Sequence, residues 1–434
     1  VNLNATVTTA PTPSQFQRSG AIISVGGRTL ATNTYQYCGT LAAVESILSA
    51  AGNYAELTNM ATPFFAQGGG VGLYILELGV GTSADAEIAD LATWITNNPG
   101  VFYSYLAPAS WDYSKDEVGS IQITLGGSGY TSAPTVTISA PTSGTTATAT
   151  ASITNGVVTS VTITNPGSGY TAAPTVTFSA PTSGTTATGT ATLASAMNIL
   201  AGDYSSPSGK TYFFVTTTTT NLPNYTGVKS IFAMVPSPTA TSSEFQTATA
   251  FYQWLNNNPG PANQLAPMAF RYVYGVTPWA PTGNSASITT VLSNYGNLVY
   301  TGAEGGISTA CLFKGTTMDG TQSAWWYGVD WFQIQVEQAL AAAIINGSNS
   351  NPPLIYDQAG INTLLSVAQG IANNAVSYGC ALSATVTAVP FYTYITENPS
   401  NYAAGIYNGF SATVVGPSGY LTITFNLDAV QFVA

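Results

Sequence analysis

The sequence predicts a mixed α/β fold of several domains: an α+β core, an all-β repeat domain inserted into it, and extended strand arms at both termini. Three observations carry this expectation. Segments of helical spacing and segments of strand alternation succeed one another through most of the chain. Between Ile121 and Ala194, 74 residues without Lys, Arg, Asp or Glu repeat at a period of 40. At the two ends, Val1, Leu3, Ala5 and Val7, and later Leu421, Ile423, Phe425 and Leu427, alternate with polar residues.

Residues 1–30 are the expected N-terminal arm and first strand. Ala10-Pro-Thr-Pro-Ser breaks the terminal alternation, and Gly20-Ala-Ile-Ile-Ser-Val-Gly-Gly reads as a short strand and turn. Residues 31–117 make the first part of the α/β core. Leu41, Val44 and Leu48 mark one helix, Leu57, Met60 and Ala61 a second, and Leu73-Tyr-Ile-Leu-Glu-Leu a buried strand. The glycines Gly68-Gly-Gly-Val-Gly precede that strand, whereas a dinucleotide fingerprint follows a strand and opens a helix. A helix from about Ser83 to Thr96 is capped by Thr82 or Ser83. It carries Asp85 and Glu87 in its first turn, where negative charge suits the dipole, and turns Ile88, Leu91, Ala92 and Ile95 inward. Asn97-Asn-Pro-Gly stops it, and Val101-Phe-Tyr-Ser-Tyr-Leu completes a βαβ unit.

Residues 118–196 form the expected inserted domain. GGSGYTSAPTVTISAPTSGTTATAT, from Gly126, recurs as PGSGYTAAPTVTFSAPTSGTTATGT, from Pro166. Alternating Thr and Val suit a pleated, half-buried strand, and Asn155-Gly156 between two such runs signals a type I′ hairpin. Two copies are too few for a solenoid or propeller.

Residues 197–320 resume the core. Ser230-Ile-Phe-Ala-Met-Val reads as a strand, Ser243 to Asn256 as a helix, and Phe270-Arg-Tyr-Val-Tyr as the next strand. Trp254-Leu-Asn-Asn-Asn-Pro-Gly echoes Trp94-Ile-Thr-Asn-Asn-Pro-Gly, so the two halves are expected to share one sheet. Residues 321–434 make a C-terminal α/β domain ending in a strand arm. A helix from Val329 to Ile345 buries Phe332, Val336, Ala339, Leu340 and Ala343 and stops at Asn346-Gly; Asn351-Pro-Pro is a rigid link. A second helix from Gln358 to about Tyr378 turns Ile361, Leu364, Leu365 and Ala368 inward and stops at Gly379. A short helical turn at Asn401-Tyr-Ala-Ala and strands at Phe410 to Val415 and Tyr420 to Phe432 follow.

Composition removes several function classes. Seven basic against 18 acidic residues argue against a phosphate-tracking nucleic-acid surface. The absence of His removes Ser-His-Asp and Cys-His catalysis and HExxH zinc sites, so catalysis is not the expected role and no cofactor is expected. Charged residues are 6% of the chain against an ordinary ~25%, a surface suited to being covered by neighbours in an assembly. The N-terminus lacks the basic start and apolar run of a signal peptide, and no apolar run approaches the ~20 residues of a membrane span. A soluble protein made in the cytoplasm is expected. Cys38, Cys311 and Cys380 lack metal-ligand spacing; they read as buried thiols, and their odd number also permits disulfides between subunits.

Two acidic groupings invite chemistry. Asp112, Asp116 and Glu117 lack the ligand ladder of a calcium loop and read as a solvated turn. Asp319 and Asp330 flank Trp325-Trp-Tyr, which could stack a sugar but reads better as core or interface.

From Val329 onward, a long helix, a Pro-containing link with Ile355-Tyr-Asp-Gln-Ala-Gly-Ile, a second helix ending at Gly379 and a final alternating strand resemble the C-terminal domain of contractile tail sheath proteins of bacteriophages. The arm leading into Gly20-Ala-Ile-Ile-Ser-Val-Gly-Gly is similar to the start of that family. The resemblance covers the ends and much of the core, but not residues 118–196. It implies a sheath-like fold and a virion tail subunit that polymerises as a helical homo-oligomer, in hexameric rings around a tail tube, between baseplate and tail terminator proteins. It also implies contraction that drives the tube through the host envelope, without binding nucleic acid or inserting into the membrane. Strand addition by the arms would then place Val1, Leu3, Val7, Leu421, Ile423, Phe425 and Leu427 at subunit contacts. An extracellular β-rich surface or adhesin protein is the competing reading, and a carbohydrate-active enzyme a third.

Overall fold

The computed structural model of the chain describes residues 13–26, 30–48, 52–112, 116–241, 243–280, 282–301 and 309–419. The first part contains β1 (Gly20–Ser24), β2 (Thr34–Cys38), α1 (Leu41–Leu48), α2 (Tyr54–Phe65), β3 (Leu73–Glu77), α3 (Ala84–Asn97) and β4 (Ser104–Leu106). The repeat region supplies β5 (Glu117–Leu125), β6 (Val136–Ile138), β7 (Thr148–Thr154), β8 (Val157–Asn165), β9 (Thr175–Phe178) and β10 (Thr188–Ala194). Then come α4 (Ala196–Asp203), β11 (Tyr212–Thr216), β12 (Ile231–Met234), α5 (Thr247–Leu255), α6 (Ser285–Ser293), β13 (Leu298–Thr301) and β14 (Ala310–Phe313). The chain closes with α7 (Ser323–Ser348), α8 (Gln358–Ser377), β15 (Ser383–Ala388), α9 (Phe391–Glu397), α10 (Pro399–Ala403) and β16 (Phe410–Val415).

Five sheets and ten α-helices among the described residues make a mixed α/β protein. Its main sheet runs β12-β11-β4-β1-β3-β2, parallel except for the edge strand β2. β1 lies in the interior of this sheet, buried at all five positions, as expected of a parallel strand covered on both faces. Alternate residues feed two cores. Ile22, Ile75, Tyr103, Phe214 and Phe232 pack with α1, α2 and α5. Ile23, Leu76, Tyr105, Phe213 and Ile231 face the other way, toward α3 and α4. The two halves of the chain therefore share one sheet, as their echoing sequences imply. β3, α3 and β4 form a βαβ unit that straddles β1, and Ser83 caps α3 by accepting from Ala86 N at 3.2 Å.

The strands from Glu117 to Ala194 pair only with one another among the described residues. β5, β10, β9 and β6 form one sheet and β7 and β8 a hairpin. The period of 40 maps β5 onto β8, β6 onto β9 and β7 onto β10. The two copies clasp reciprocally. Val118 N donates to Pro166 O and Val158 N to Gly126 O, each at 2.9 Å. Ala147 N donates to Tyr170 OH and Ala187 N to Tyr130 OH, again at 2.9 Å. Each bond has its mate 40 residues on, a pseudo-two-fold arrangement. Gly129 and Gly169 sit at φ 81° and 79°, and a Cβ there would lie 1.7 and 1.9 Å from the carbonyls of Ser183 and Ser143. Only glycine allows both the conformation and the approach. The Asn155-Gly156 hairpin has positive φ at both residues, 52° and 76°.

Several expectations are corrected. Phe270-Arg-Tyr-Val-Tyr is not a strand of the main sheet. Phe270 adopts φ 61°, and the segment lies against β14 through Phe270 N to Leu312 O and Val273 N to Ala310 O. Residues 13–18 form a 3₁₀ turn rather than an extended arm. α7 starts at Ser323 and runs through Asn346-Gly347 to Ser348. α5 begins at Thr247, four residues later than its spacing suggests. Asp112, Asp116 and Glu117 are not a solvated turn. Asp112 accepts from Asn221 and Tyr225, and Glu117 is buried at the start of β5. Burial and the neighbouring Asp85 and Asp116 push the Glu117 carboxyl up to about 8.

Candidate subunit interface

The C-terminal region presents an apolar helical layer and a small sheet. α7 is buried in its first half, through Tyr327, Trp331, Phe332 and Ile334, and emerges in its second, where Ile344 and Ile345 are 48% and 63% exposed. α8 packs along α7 and is capped by Asp357, which accepts from Gly360 N at 2.7 Å. Its Ala368, Ala372 and Ala375 are buried, and β15 lies against it through Ala384 and Val386. Between the outer half of α7, the start of α8 and the chain before β16 opens a groove of about 380 Å³, lined by Leu340, Ile344, Leu354, Ile361, Leu364 and Tyr407.

β15 and β16 pair antiparallel from Ser383↔Val415 to Ala388↔Phe410. Val389 N donates to Gly409 O at 2.9 Å in the same register. Hydrogen-bonded pairs alternate in such a ladder, so 387↔411, 385↔413 and 383↔415 face inward. Ala384, Val386 and Ala388 then point their backbone groups to the outer edge of β15, and Phe410, Ala412 and Val414 to that of β16.

The two edges differ. Gln369, on α8, lays its carboxamide along β15: Oε1 accepts from Val386 N at 2.9 Å, and Nε2 donates to Ala384 O at 3.3 Å. That amide imitates a neighbouring strand and occupies two of the edge's backbone groups. Along β16, the outward groups of Phe410, Ala412 and Val414 have no partner among the described residues. Residues 411–413 are exposed there, and Val415 is 48% exposed. Unpaired N–H and C=O groups in a row are a template for another strand.

Past β16, residues 416–419 contain no turn. Gly416 passes against Trp325 so closely that a Cβ would lie 1.6 Å from the indole. Gly419 N donates to Gln322 Oε1 at 2.7 Å, and Gln322 Nε2 donates to Gly419 O at 2.9 Å. Through Gly419 the chain therefore does not turn back onto β16.

A buried polar cluster fastens α7 to the main sheet. Tyr103 and Tyr212 each donate to Asp330 Oδ2 at 2.8 Å. Lys229 sits 4.3 Å above the Trp326 ring and donates to the carbonyls of Ser206 and Gly209. Burial pushes the Asp330 carboxyl up to about 6, against the opposing pull of Lys229 and the two tyrosines. Asp319 accepts from Trp326 Nε1 at 2.9 Å, so Asp319 and Asp330 belong to core and cap rather than to a sugar platform.

The residues expected at subunit contacts, Val1, Leu3, Val7, Leu421, Ile423, Phe425 and Leu427, lie outside the described residues, as does the strand expected over 420–432. Cys38, Cys311 and Cys380 are free and buried, and burial pushes the Cys38 and Cys380 thiols up to about 11 and about 12. Thiol exchange needs thiolate, which burial disfavours at all three. β15, the Gln369 carboxamide along it and the open edge of β16 are structural features that sequence reasoning missed, apart from the span of β16 itself.

No family model matches the chain, and no curated protein matches it. Among solved structures, a sheath tail protein from Listeria innocua aligns at 12% identity over 92% of this chain and 95% of its own, with a TM-score of 0.39. A sheath tail protein from Desulfitobacterium hafniense aligns at 10% identity over 89% and 93%, also with a TM-score of 0.39. Likenesses this distant carry no argument about function.

Proposed function

We propose that the chain is a structural subunit of a contractile bacteriophage tail sheath, joined to its copies by strand addition at the open edge of β16. The observation that carries this reading is the asymmetry of the β15–β16 sheet. One edge is partly covered by Gln369, the other has no partner among the described residues, and the sequence continues from it into the alternating Leu421, Ile423, Phe425 and Leu427. Added strands gain main-chain hydrogen bonds from the edge and place alternate side chains in pockets. The arm of one copy would occupy β16 of the next, and the N-terminal Val1, Leu3 and Val7 would make a second link. Rings joined in this way can rotate as bodies while their links persist, the motion that contraction around a tail tube requires. The tube, baseplate and terminator proteins are the further partners, and catalysis has no part in the role.

Within this reading, residues 118–196 are an accessory unit on the outside of the subunit. Glu117 and Ala194 are paired neighbours in β5 and β10, so their Cα atoms lie about 5 Å apart. Replacing 118–193 by Gly-Gly is expected to leave one cooperative melt, shifted by a few degrees at most, the equivalent of ~1 kcal/mol. Polymerisation should survive; an unfolded product would show that the core depends on the module.

Electron microscopy of the purified full chain tests the function. Helical tubes or stacked rings are expected. Stable monomers that bind glycans would overturn the reading in favour of a surface adhesin.

A further inference from the structure

Two of the seven basic residues of this acidic chain line one polar pocket. Arg18 and Arg271 border a space of about 490 Å³ together with Asn256, Asn257 and Asn263. Arg271 is held by neutral oxygens alone: Nε donates to Pro267 O at 2.8 Å, Nη1 to Gln253 O at 2.9 Å and Gln253 Oε1 at 3.5 Å, and Nη2 to Ala266 O and Asn257 Oδ1, each at 2.7 Å, so it offers the pocket its charge rather than free donors. Among the described residues Arg18 donates once, from Nη2 to Gly70 O at 2.6 Å, and its Nε is buried without a partner there. Asn257 is 5% exposed. Its Oδ1 is taken by Arg271, which leaves Nδ2 buried and unpaired. Among the described residues the ion pair Lys210–Glu337 stands alone, so neither guanidinium has a carboxylate.

The pocket thus gathers two guanidinium charges that no carboxylate answers among the described residues. Sequestered charges and donors are normally paired, and a guanidinium can only donate. Burial without a counter-charge also holds Arg271 down to about 10. The missing complement is a group that only accepts and carries negative charge.

We propose that this pocket is an oxyanion-binding site that takes a carboxylate or phosphate group through the uncommitted N–H groups of Arg18, with the Arg271 charge beside them. Charge-assisted hydrogen bonds from planar guanidinium forks to such groups are the strong class of polar contact. The anion would come either free from solution or as an acidic side chain of an adjoining protein. The site stands independently of the sheath assignment.

The test is a thermal-melt titration of the full chain with inorganic phosphate and with sodium acetate, ionic strength being held constant with sodium chloride. A ligand that binds only the folded state raises the melting temperature saturably. Saturation by at least one oxyanion and none by chloride is expected. Phosphate alone points to a free anion, and acetate as well to a carboxylate side chain. Arg18→Gln, which removes a single protein hydrogen bond, should weaken the apparent affinity about tenfold or more. Lys210→Gln, at the exposed ion pair, should leave it unchanged. No saturable response in the parent chain would overturn the site, as would equal weakening by both variants.

Discussion

Removing residues 420–434 is expected to leave a folded subunit that no longer polymerises. The sheet to which the segment would add is complete within one chain, because β15 and β16 pair over six residues and rest on α8 through Ala384 and Val386. What the truncation removes is the strand for a neighbour's open edge. Four alternating apolar side chains, each contributing ~1.5 kcal/mol or more when buried, and a row of main-chain hydrogen bonds of ~1 kcal/mol each go with it. Even after the ordering cost of the arm, critical concentration should rise by roughly 100-fold or more, about 2.7 kcal/mol. Sedimentation should show monomer, with circular dichroism retaining the helical and strand content. A companion variant addresses the acceptor. The Ala412 N–H points outward, so Ala412→Pro removes a donor from the open edge but none from the pairing with β15. It should also block polymerisation, whereas Thr413→Pro should damage the sheet itself. Tubes formed normally by the truncation would refute the arm, and tubes formed by Ala412→Pro would refute the edge.

Elements written in local contrast were legible in the sequence. α3 has a cap, a first-turn acidic pair and a clean apolar stripe, and it appears one residue from its expected bounds. The reciprocal glycines of the repeat marked two copies, though not their clasp, since Tyr130 and Tyr170 act across copies. β15 was missed although Ser383-Ala-Thr-Val-Thr-Ala alternates exposed and buried positions, because its inward side chains, Ala384 and Val386, are small. β2 was missed because it is an edge strand whose side chains are mostly outside the core. Phe270-Arg-Tyr-Val-Tyr has strand alternation, with Val273 buried and Tyr272 and Tyr274 exposed, yet Arg271 and the positive φ of Phe270 hold it out of the main sheet. The Gln369 contact with β15 and the Arg18–Arg271 pocket join residues remote in sequence through folding alone. No local spacing could announce them.

Asp330→Ala is expected to destabilise the fold by about 3–5 kcal/mol near neutral pH, because it strips a fully buried cluster of its acceptor and removes one of the two carboxylates, with Asp319, whose charges act on Lys229. Tyr103 and Tyr212 would each keep a buried hydroxyl whose present acceptor is Asp330 Oδ2. Asp330→Asn separates charge from shape: its amide oxygen can still accept, but it cannot ionise. The sign of the pH effect follows from the carboxyl being raised from 3.8 to about 6 in the folded state. The folded protein holds this proton more tightly than the unfolded chain. The resulting stability is complete below pH 3.8 and is lost as pH rises through 6, a total of about 3 kcal/mol. The Glu117 and Asp85 carboxyls, raised to about 8 and about 6, act in the same direction in parent and variant alike and cancel in the comparison. Urea unfolding of parent and Asp330→Asn from pH 4.5 to 7.5 should therefore give diverging curves, with the parent losing stability faster as pH rises. Parallel curves would mean that the folded Asp330 carboxyl keeps its ordinary value, its charge fully compensated by the cluster that fastens α7 to the sheet.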